Sequence, residues 1–326
     1  MVAPPRGMTR TTVDGQVRLI TKVARMYHER GVRQVDIAEA LHLSQARVSR
    51  LLKRATELGI VRTVVAVSEG IHTDLEEELE SRFGLAEAVV VDVEGDDQDI
   101  AAGLGSAGAT YLESTLTVGE RIGISTWSQT LLAVVDRMRP FRVSGAESVV
   151  QLIGGVGVSS AQAEANRLLG ELAQLLRARA TFVPAPGLVA NRDIRDSLLE
   201  DRAIKTIVKE WSELTMALVG IGSLPPSQLL RESGNAVDPT DQQKLLDAGA
   251  VGDVCHRFFD AAGQLVPSSL DDRILGIDTA TLRAIPRRIG LAGGASKHQA
   301  IRAAVDGRWV NVLLTDIATA HALLKT

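Results

Sequence analysis

One cysteine, Cys255, stands in a chain of 326 residues. That excludes an internal disulfide and is compatible with a reducing compartment, which points to the cytoplasm. Aromatic residues make up 3% of the chain, so its core has to rest on Ala, Val, Leu and Ile. No apolar run approaches the roughly 18–20 residues that a membrane span needs, so no membrane association is expected. The first fifteen residues are polar, contain Pro4 and Pro5 and lack an apolar stretch, which argues against a secretory signal. Cys and His do not cluster at metal-ligand spacing, and no metal is predicted. What is present is ordinary for a globular protein: hydrophobic residues are 45% and charged residues 23%, over a length sufficient for two domains.

The net charge of −4 conceals a split. Residues 1–64 carry 12 Lys/Arg against 5 Asp/Glu, a balance of +7, whereas the other 262 residues carry 24 against 35, a balance of −11. A basic head on an acidic body predicts that only the head meets a polyanion. A chance cluster of solvated charges is the alternative.

The head has its own pattern. Residues 1–15 read as an unstructured tail. Residues 16–29 place Val17, Ile20, Val23, Ala24 and Tyr27 near one face of a helix that Gly31 ends. Helices follow at 35–41 and 45–58, the second stopped by Gly59, and the β-branched stretch 60–68 reads as a wing. Ile37 and Leu41 face inward at i and i+4. Ala38 is small where two helices cross, Leu43 plugs the turn, and Ser44 suits an N-cap. Val48, Leu51 and Leu52 form the buried stripe of the second helix. Its opposite face carries Gln45, Ala46, Arg47, Ser49, Arg50, Lys53 and Arg54. With Ser44, these are the candidate contacts to base edges and phosphates of DNA. The turn has His42 where a glycine is usual, at a position that wants a positive φ. A plain amphipathic helix hairpin is the competing reading.

Beyond Gly70 the pattern changes. A charged helix at 72–83 is followed by short apolar strands at 88–93, 121–124, 148–153, 180–183, 216–221, 251–255, 287–292 and 310–314. Helices lie between most of them, for example at 101–116, 129–137, 161–177, 297–305 and 317–324. Apolar runs alternating with helices predict a parallel α/β sheet buried on both faces.

Four glycine-containing loops fall at strand ends, where open parallel sheets bind ligands. The loop Gly123-Ile-Ser-Thr-Trp-Ser-Gln-Thr offers the hydroxyls of Ser125, Thr126 and Ser128 at a helix N-terminus. Ile153-Gly-Gly-Val-Gly supplies Gly154 and Gly155. Gly249-Ala-Val-Gly-Asp-Val-Cys supplies Asp253, an acceptor for hydroxyls or else a structural acid. Ala292-Gly-Gly-Ala-Ser-Lys brings Gly293, Gly294 and Lys297, the last a point charge for a phosphate. Glu164 and Asn166 are further candidates for the same pocket, His256 and Arg257 have no orientation from sequence, and Cys255 reads as a small core residue. No loop is a nucleotide phosphate loop or a dinucleotide fingerprint in its proper setting, so no cofactor is predicted.

These residues together resemble the SorC family of bacterial sugar-responsive transcription regulators, along nearly the whole chain after residue 15. The resemblance is carried by the helix-turn-helix at 36–58, the loop 123–130, the stretch from Gly249 to Asp260 and the stretch 289–319, which runs from Ala292-Gly-Gly through Lys297 to Val310-Asn-Val-Leu-Leu-Thr-Asp316. It implies a large domain with the fold of sugar-phosphate isomerases that acts as an effector sensor and not as an enzyme. It implies assembly as dimers or tetramers. By position it makes Thr126, Gly154, Gly155 and Lys297 phosphate contacts and Asp253 the contact to the sugar. Ser125-Thr-Trp-Ser departs from relatives with consecutive glycines there, and Trp127 narrows what fits.

The expectation is a winged helix-turn-helix at 16–69 joined to an α/β effector-binding and oligomerisation domain at 70–326. A small, phosphorylated sugar or polyol would modulate binding to double-stranded operator DNA and so control carbohydrate genes. The rivals are a sugar-phosphate enzyme with a DNA-binding head, which would need a positioned base, and a module whose head contacts protein.

Overall fold

Three helices form among the described residues of the N-terminal unit, Met1–Ala66. The computed structural model describes residues 10–61, 70–232 and 235–325. Helix α1 spans Arg10–His28, α2 Gln34–Ala40 and α3 Gln45–Glu57. Helix α1 begins at Arg10, ahead of the expected residue 16, because residues 6–28 hold no proline and an amphipathic helix, once nucleated, extends at low cost. Ile20, Val23 and Ala24 of α1 pack with Ile37 and Ala38 of α2 and with Val48, Leu51, Leu52 and Ala55 of α3. Val17 and Tyr27 lie at the ends of the α1 stripe and are exposed instead of buried.

The turn after α2 is a Schellman motif. The Leu43 N–H donates to the Ala38 carbonyl at 2.8 Å and the His42 N–H to Glu39 at 3.2 Å. This places His42 at the left-handed position, with φ 53°. Such a conformation costs a β-carbon-bearing residue about 1–2 kcal/mol, which the surrounding contacts offset. Ser44 caps α3, its Oγ accepting from the Arg47 N–H at 3.3 Å. Ile60 and Val61 lie against the helical core, and the remainder of the expected wing, 62–69, falls outside the described residues.

The second unit, Val67–Thr326, alternates strands and helices. In chain order these are α4 (Thr73–Phe83), β1 (Glu87–Val91), α5 (Asp97–Thr115), β2 (Arg121–Ile124), α6 (Gln129–Val135), β3 (Ser148–Gln151), α7 (Ser159–Leu176) and β4 (Arg179–Thr181). Then come α8 (Arg192–Glu200), α9 (Arg202–Trp211), β5 (Met216–Gly220), β6 (Gly222–Ser223), α10 (Gln228–Glu232), α11 (Pro239–Asp247), β7 (Ala250–Val254) and β8 (Arg257–Asp260). The chain closes with α12 (Thr279–Ala284), β9 (Arg287–Leu291), α13 (His298–Asp306), β10 (Val312–Asp316) and α14 (Ile317–Leu324).

Seven strands form one parallel sheet in the order β1-β10-β9-β5-β2-β3-β4. Both of its faces are covered, which is why its strands read as unbroken apolar runs. Met216 and Leu218 of β5 belong to the core cluster that includes residues of α5, α6 and α7, while Ala217 and Val219 belong to the one that includes residues of α4, α9, α13 and α14. Each buried Val, Leu or Ile contributes about 1.5–3 kcal/mol relative to exposure.

The strand expected at 251–255 does not join this sheet. It becomes β7 of a separate antiparallel sheet, β6-β7-β8, and β8 was not among the expected strands. The reason is loop length. A parallel neighbour needs a crossover of a dozen or more residues, whereas only Cys255 and His256 separate β7 from β8. Among the described residues no helix is long and apolar enough to cross a membrane.

Candidate functional site

On the N-terminal unit, Gln45, Ala46, Arg47, Ser49, Arg50, Lys53 and Arg54 are all exposed on one side of α3, opposite its buried stripe. Arg54 pairs with Glu57 at 2.8 Å, and the Arg50 Nε donates to the Ala46 carbonyl at 3.3 Å. Neither Arg47 nor Lys53 has an ion-pair partner among the described residues. The face is thus polar and basic, with cations available for phosphates.

In the larger unit the strand order proceeds in opposite directions from β2 and from β5, so the topological switch lies between them. Ligands of open α/β sheets bind outside the carboxyl ends of strands at such a point. A cavity of about 550 Å³ opens there, within the range of small-molecule sites. Its rim is braced by Ser125 after β2, whose N–H donates to Leu218 at 3.1 Å and whose Oγ accepts the Gly220 N–H at 3.2 Å. Ser128 caps α6, its Oγ accepting from Leu131 at 3.3 Å. The Trp127 indole donates to the Gly154 carbonyl at 3.4 Å and stands as a wall.

Two opposite charges face this cavity without a salt bridge to each other or to other described residues. Burial pushes the Asp253 carboxyl up to about 6, while the His256 N–H, which its Oδ2 accepts at 2.9 Å, and the nearby Lys297 pull it back only in part. Burial also lowers the Lys297 ammonium, against the pull of Asp97 and Asp253. Ionisable groups held at a cavity wall without partners mark a binding site more often than a structural ion pair does. Gly222 lets the carboxylate sit close to the β6 backbone, since a β-carbon there would displace Asp253 Oδ1.

Of the residues expected at the site, Ser125, Ser128, Asp253, Gly293 and Lys297 line the cavity. Thr126, Gly154, Gly155 and Gly294 do not, and each has another task. Thr126 is buried and its Oγ1 accepts from Gln151 Nε2 at 2.9 Å. A β-carbon on Gly154 would overlap the backbone of Pro186, and one on Gly155 the amide of Gln151, so these glycines permit close chain approach. The Gly294 N–H is taken by Asp316 Oδ2 at 2.8 Å and Thr319 Oγ1 at 3.2 Å. Glu164 pairs with Arg167, Asn166 is exposed, and neither lines the cavity. Arg257 is buried and donates to the carbonyls of Ile277 and Gly276, which makes it a brace. Cys255 is a buried thiol pushed up to about 12 by burial, an inert group.

Some cavity residues escaped the sequence reading. Asp97 and Ile100 come from the first turn of α5, which starts ahead of the expected residue 101. The signal was Asp96-x-x-Asp99, a capping box in which Asp96 accepts from Gln98 and Asp99 while Asp99 accepts the Asp96 N–H. Gly220-Ile-Gly222 after β5 is a fifth strand-end glycine loop, visible by the logic that located the other four.

A helix-turn-helix head and a strand-end cavity lined by an unpaired acid and an unpaired base define a ligand-sensing DNA-binding regulator. Comparison with known proteins is consistent with that class. Residues 70–325 match the family of sugar-binding domains. The sorbitol operon regulator of Klebsiella pneumoniae is 34% identical over 315 residues, covering 95% of this chain and 98% of its own. The deoxyribonucleoside regulator of Bacillus subtilis is 34% identical over 309 residues, covering 94% and 97%. The crystal structure of the full-length Klebsiella regulator superposes with a TM-score of 0.72 at 32% identity, covering 95% of this chain and 99% of that one. The chain belongs to the SorC family of sugar-responsive transcriptional regulators.

Proposed function

We propose that this protein binds double-stranded operator DNA through Ser44, Gln45, Ala46, Arg47, Ser49, Arg50, Lys53 and Arg54, under control of a small phosphorylated sugar or polyol held at the β2/β5 switch. The observation that carries the ligand reading is the pairless Asp253 and Lys297 on one cavity wall. A carboxylate accepts from sugar hydroxyls, and an ammonium holds the phosphate. Ser125 and Ser128 add hydroxyl donors beside the start of α6, whose free N–H groups favour an anion. The protein acts in the cytoplasm as a homo-oligomer, dimer or tetramer, without a membrane partner. The ligand changes DNA affinity through its unequal affinity for two states of that assembly.

The test separates the two ends of the molecule. Gel-shift titrations against operator DNA, with and without sugar phosphates that raise the melting temperature, are run on two variants. Arg50→Ala is expected to weaken DNA binding about tenfold, equivalent to about 1.4 kcal/mol, with the ligand-induced rise in melting temperature retained. Lys297→Ala is expected to retain DNA binding and lose the ligand response. Two variants that both behave as wild type refute the assignment.

Catalysis on the same sugars is a second reading, and its candidate base is Asp253, the carboxyl that faces the cavity without an ion-pair partner among the described residues. Turnover of pentose or hexose phosphates by the purified protein would support it, and binding without turnover would support the sensor.

A further inference from the structure

The β7–β8 hairpin turns on two residues, Cys255 and His256, with φ of 54° and 59°. A two-residue hairpin with both central residues at positive φ is the type I′ turn, which favours Asn-Gly. A glycine at position 256 would relax the backbone. A histidine there holds a left-handed conformation that a β-carbon disfavours, and strain kept beside a cavity is a pointer to function.

The ring itself is unusual. His256 is 4% exposed, and its Nδ1 is buried without a hydrogen-bond partner among the described residues. It stacks on Phe258, with centroids 6.3 Å apart and planes 9° apart. It lines the main cavity and also an adjoining chamber of about 20 Å³, room for one water-sized group. The other walls of that chamber include Val237, Leu245 and Phe258, with Asp253 at its edge. Asp253 accepts the backbone N–H of His256, which holds the carboxylate against the turn that carries the imidazole.

We propose that His256 is the specificity residue of this site: its imidazole hydrogen-bonds one terminal hydroxyl of the ligand, at the end away from the phosphate, lodged in the small chamber beside Asp253. The assignment rests on the sugar reading above. A neutral imidazole has one donor and one acceptor nitrogen, which suits a hydroxyl, and burial keeps the ring neutral by pushing its pKa down to about 4. Apart from Ser223, Gln242 and Asp253 the rest of the chamber is apolar, and its apolar walls give a missing hydroxyl nothing in exchange for the orphaned nitrogen. Sites built this way reject the deoxy analogue strongly.

Calorimetric titration of the full-length protein tests this with three pairs of probes: sorbitol 6-phosphate, fructose 6-phosphate and xylulose 5-phosphate, each against its 1-deoxy analogue. Wild type is expected to prefer the hydroxyl-bearing member of the bound pair by at least about tenfold. His256→Gly is expected to collapse that preference to within about twofold by weakening the hydroxyl-bearing member alone. Glycine relieves the backbone but empties the space of a buried ring stacked on Phe258, so the ratio of affinities and not the melting temperature is the readout. His256→Phe, which fills space without a nitrogen, should lose the preference as well. If wild type binds none of the six compounds, the sugar-phosphate reading fails and this assignment with it. If wild type binds them and His256→Gly keeps the wild-type ratio, the His256 assignment alone is overturned.

Discussion

Asp253 holds its charge at a cost. Its folded pKa of about 6 lies above the ordinary 3.8, so the folded state binds the proton more tightly than the unfolded chain. The stability this contributes is fully present below pH 3.8 and is lost as pH rises through about 6. Above that, the ionised carboxylate destabilises the unliganded protein by up to about 3 kcal/mol, at about 1.4 kcal/mol per pKa unit. Asp253→Asn is therefore expected to stabilise the unliganded protein at pH 8 by about 1–3 kcal/mol and to make no difference below pH 4. Thermal melts across that range would show it, and a variant less stable than wild type at pH 8 would contradict it. His256 acts in the opposite sense: with its pKa lowered from 6.5 to about 4, its contribution is complete above 6.5 and is lost as pH falls through 4. In Asp253→Asn that loss stands alone, so the variant should weaken steadily between pH 6.5 and 4. Stability given up at a binding wall is a common cost of function.

At the scale of elements, Asp316 ties the ligand loop to the sheet. It ends β10 and caps α14, its Oδ1 accepting the Thr319 N–H at 2.8 Å. Its Oδ2 accepts the Gly294 N–H at 2.8 Å and the Thr319 hydroxyl at 2.6 Å. Gly293 and Lys297 thus reach the cavity on a loop whose position Asp316 decides. Asp316→Ala leaves the Thr319 N–H and hydroxyl without an acceptor and the Gly294 N–H with only Thr319 Oγ1 at 3.2 Å, and a loss of about 2–4 kcal/mol is expected. The matching loss of ligand affinity should be visible in the fluorescence of Trp127, which lines the cavity while Trp211 and Trp309 are buried elsewhere. An unchanged melting temperature would mean that other contacts hold the loop. The presence of Asp316 at a strand end was legible in the sequence. Its reach to Gly294, across 22 residues, was not, because no local pattern encodes a bond between the ends of neighbouring parallel strands.

At the scale of the molecule, the charge split makes a quantitative prediction. Arg47, Arg50, Lys53 and Arg54 form the exposed cationic set on α3. Neutralising one phosphate each, they give a slope of roughly −4 in log affinity against log salt per engaged head. Arg50→Ala should lower the magnitude by about 1 per head. A slope near zero would favour a head that contacts protein, and a slope near twice the single-head value would show two heads on one operator.

The sequence alone determined the helix-turn-helix spacing, the left-handed turn at His42, the cap at Ser44 and the alternation of doubly buried strands with helices. Each is written in neighbouring residues, where period, cap and turn chemistry act locally. It also placed Ser125, Ser128, Asp253, Gly293 and Lys297 at strand ends. Only the tertiary structure decided which of those strand-end residues share a cavity. Strand order brought β2 beside β5 and set the site between them. The close packing of Gly154 and Gly155 against other chain segments removed them from the wall, and the two-residue turn at Cys255–His256 sent β7 out of the main sheet. These outcomes follow from pairings between distant segments, which depend on how the whole chain fills space and which no short stretch of sequence records.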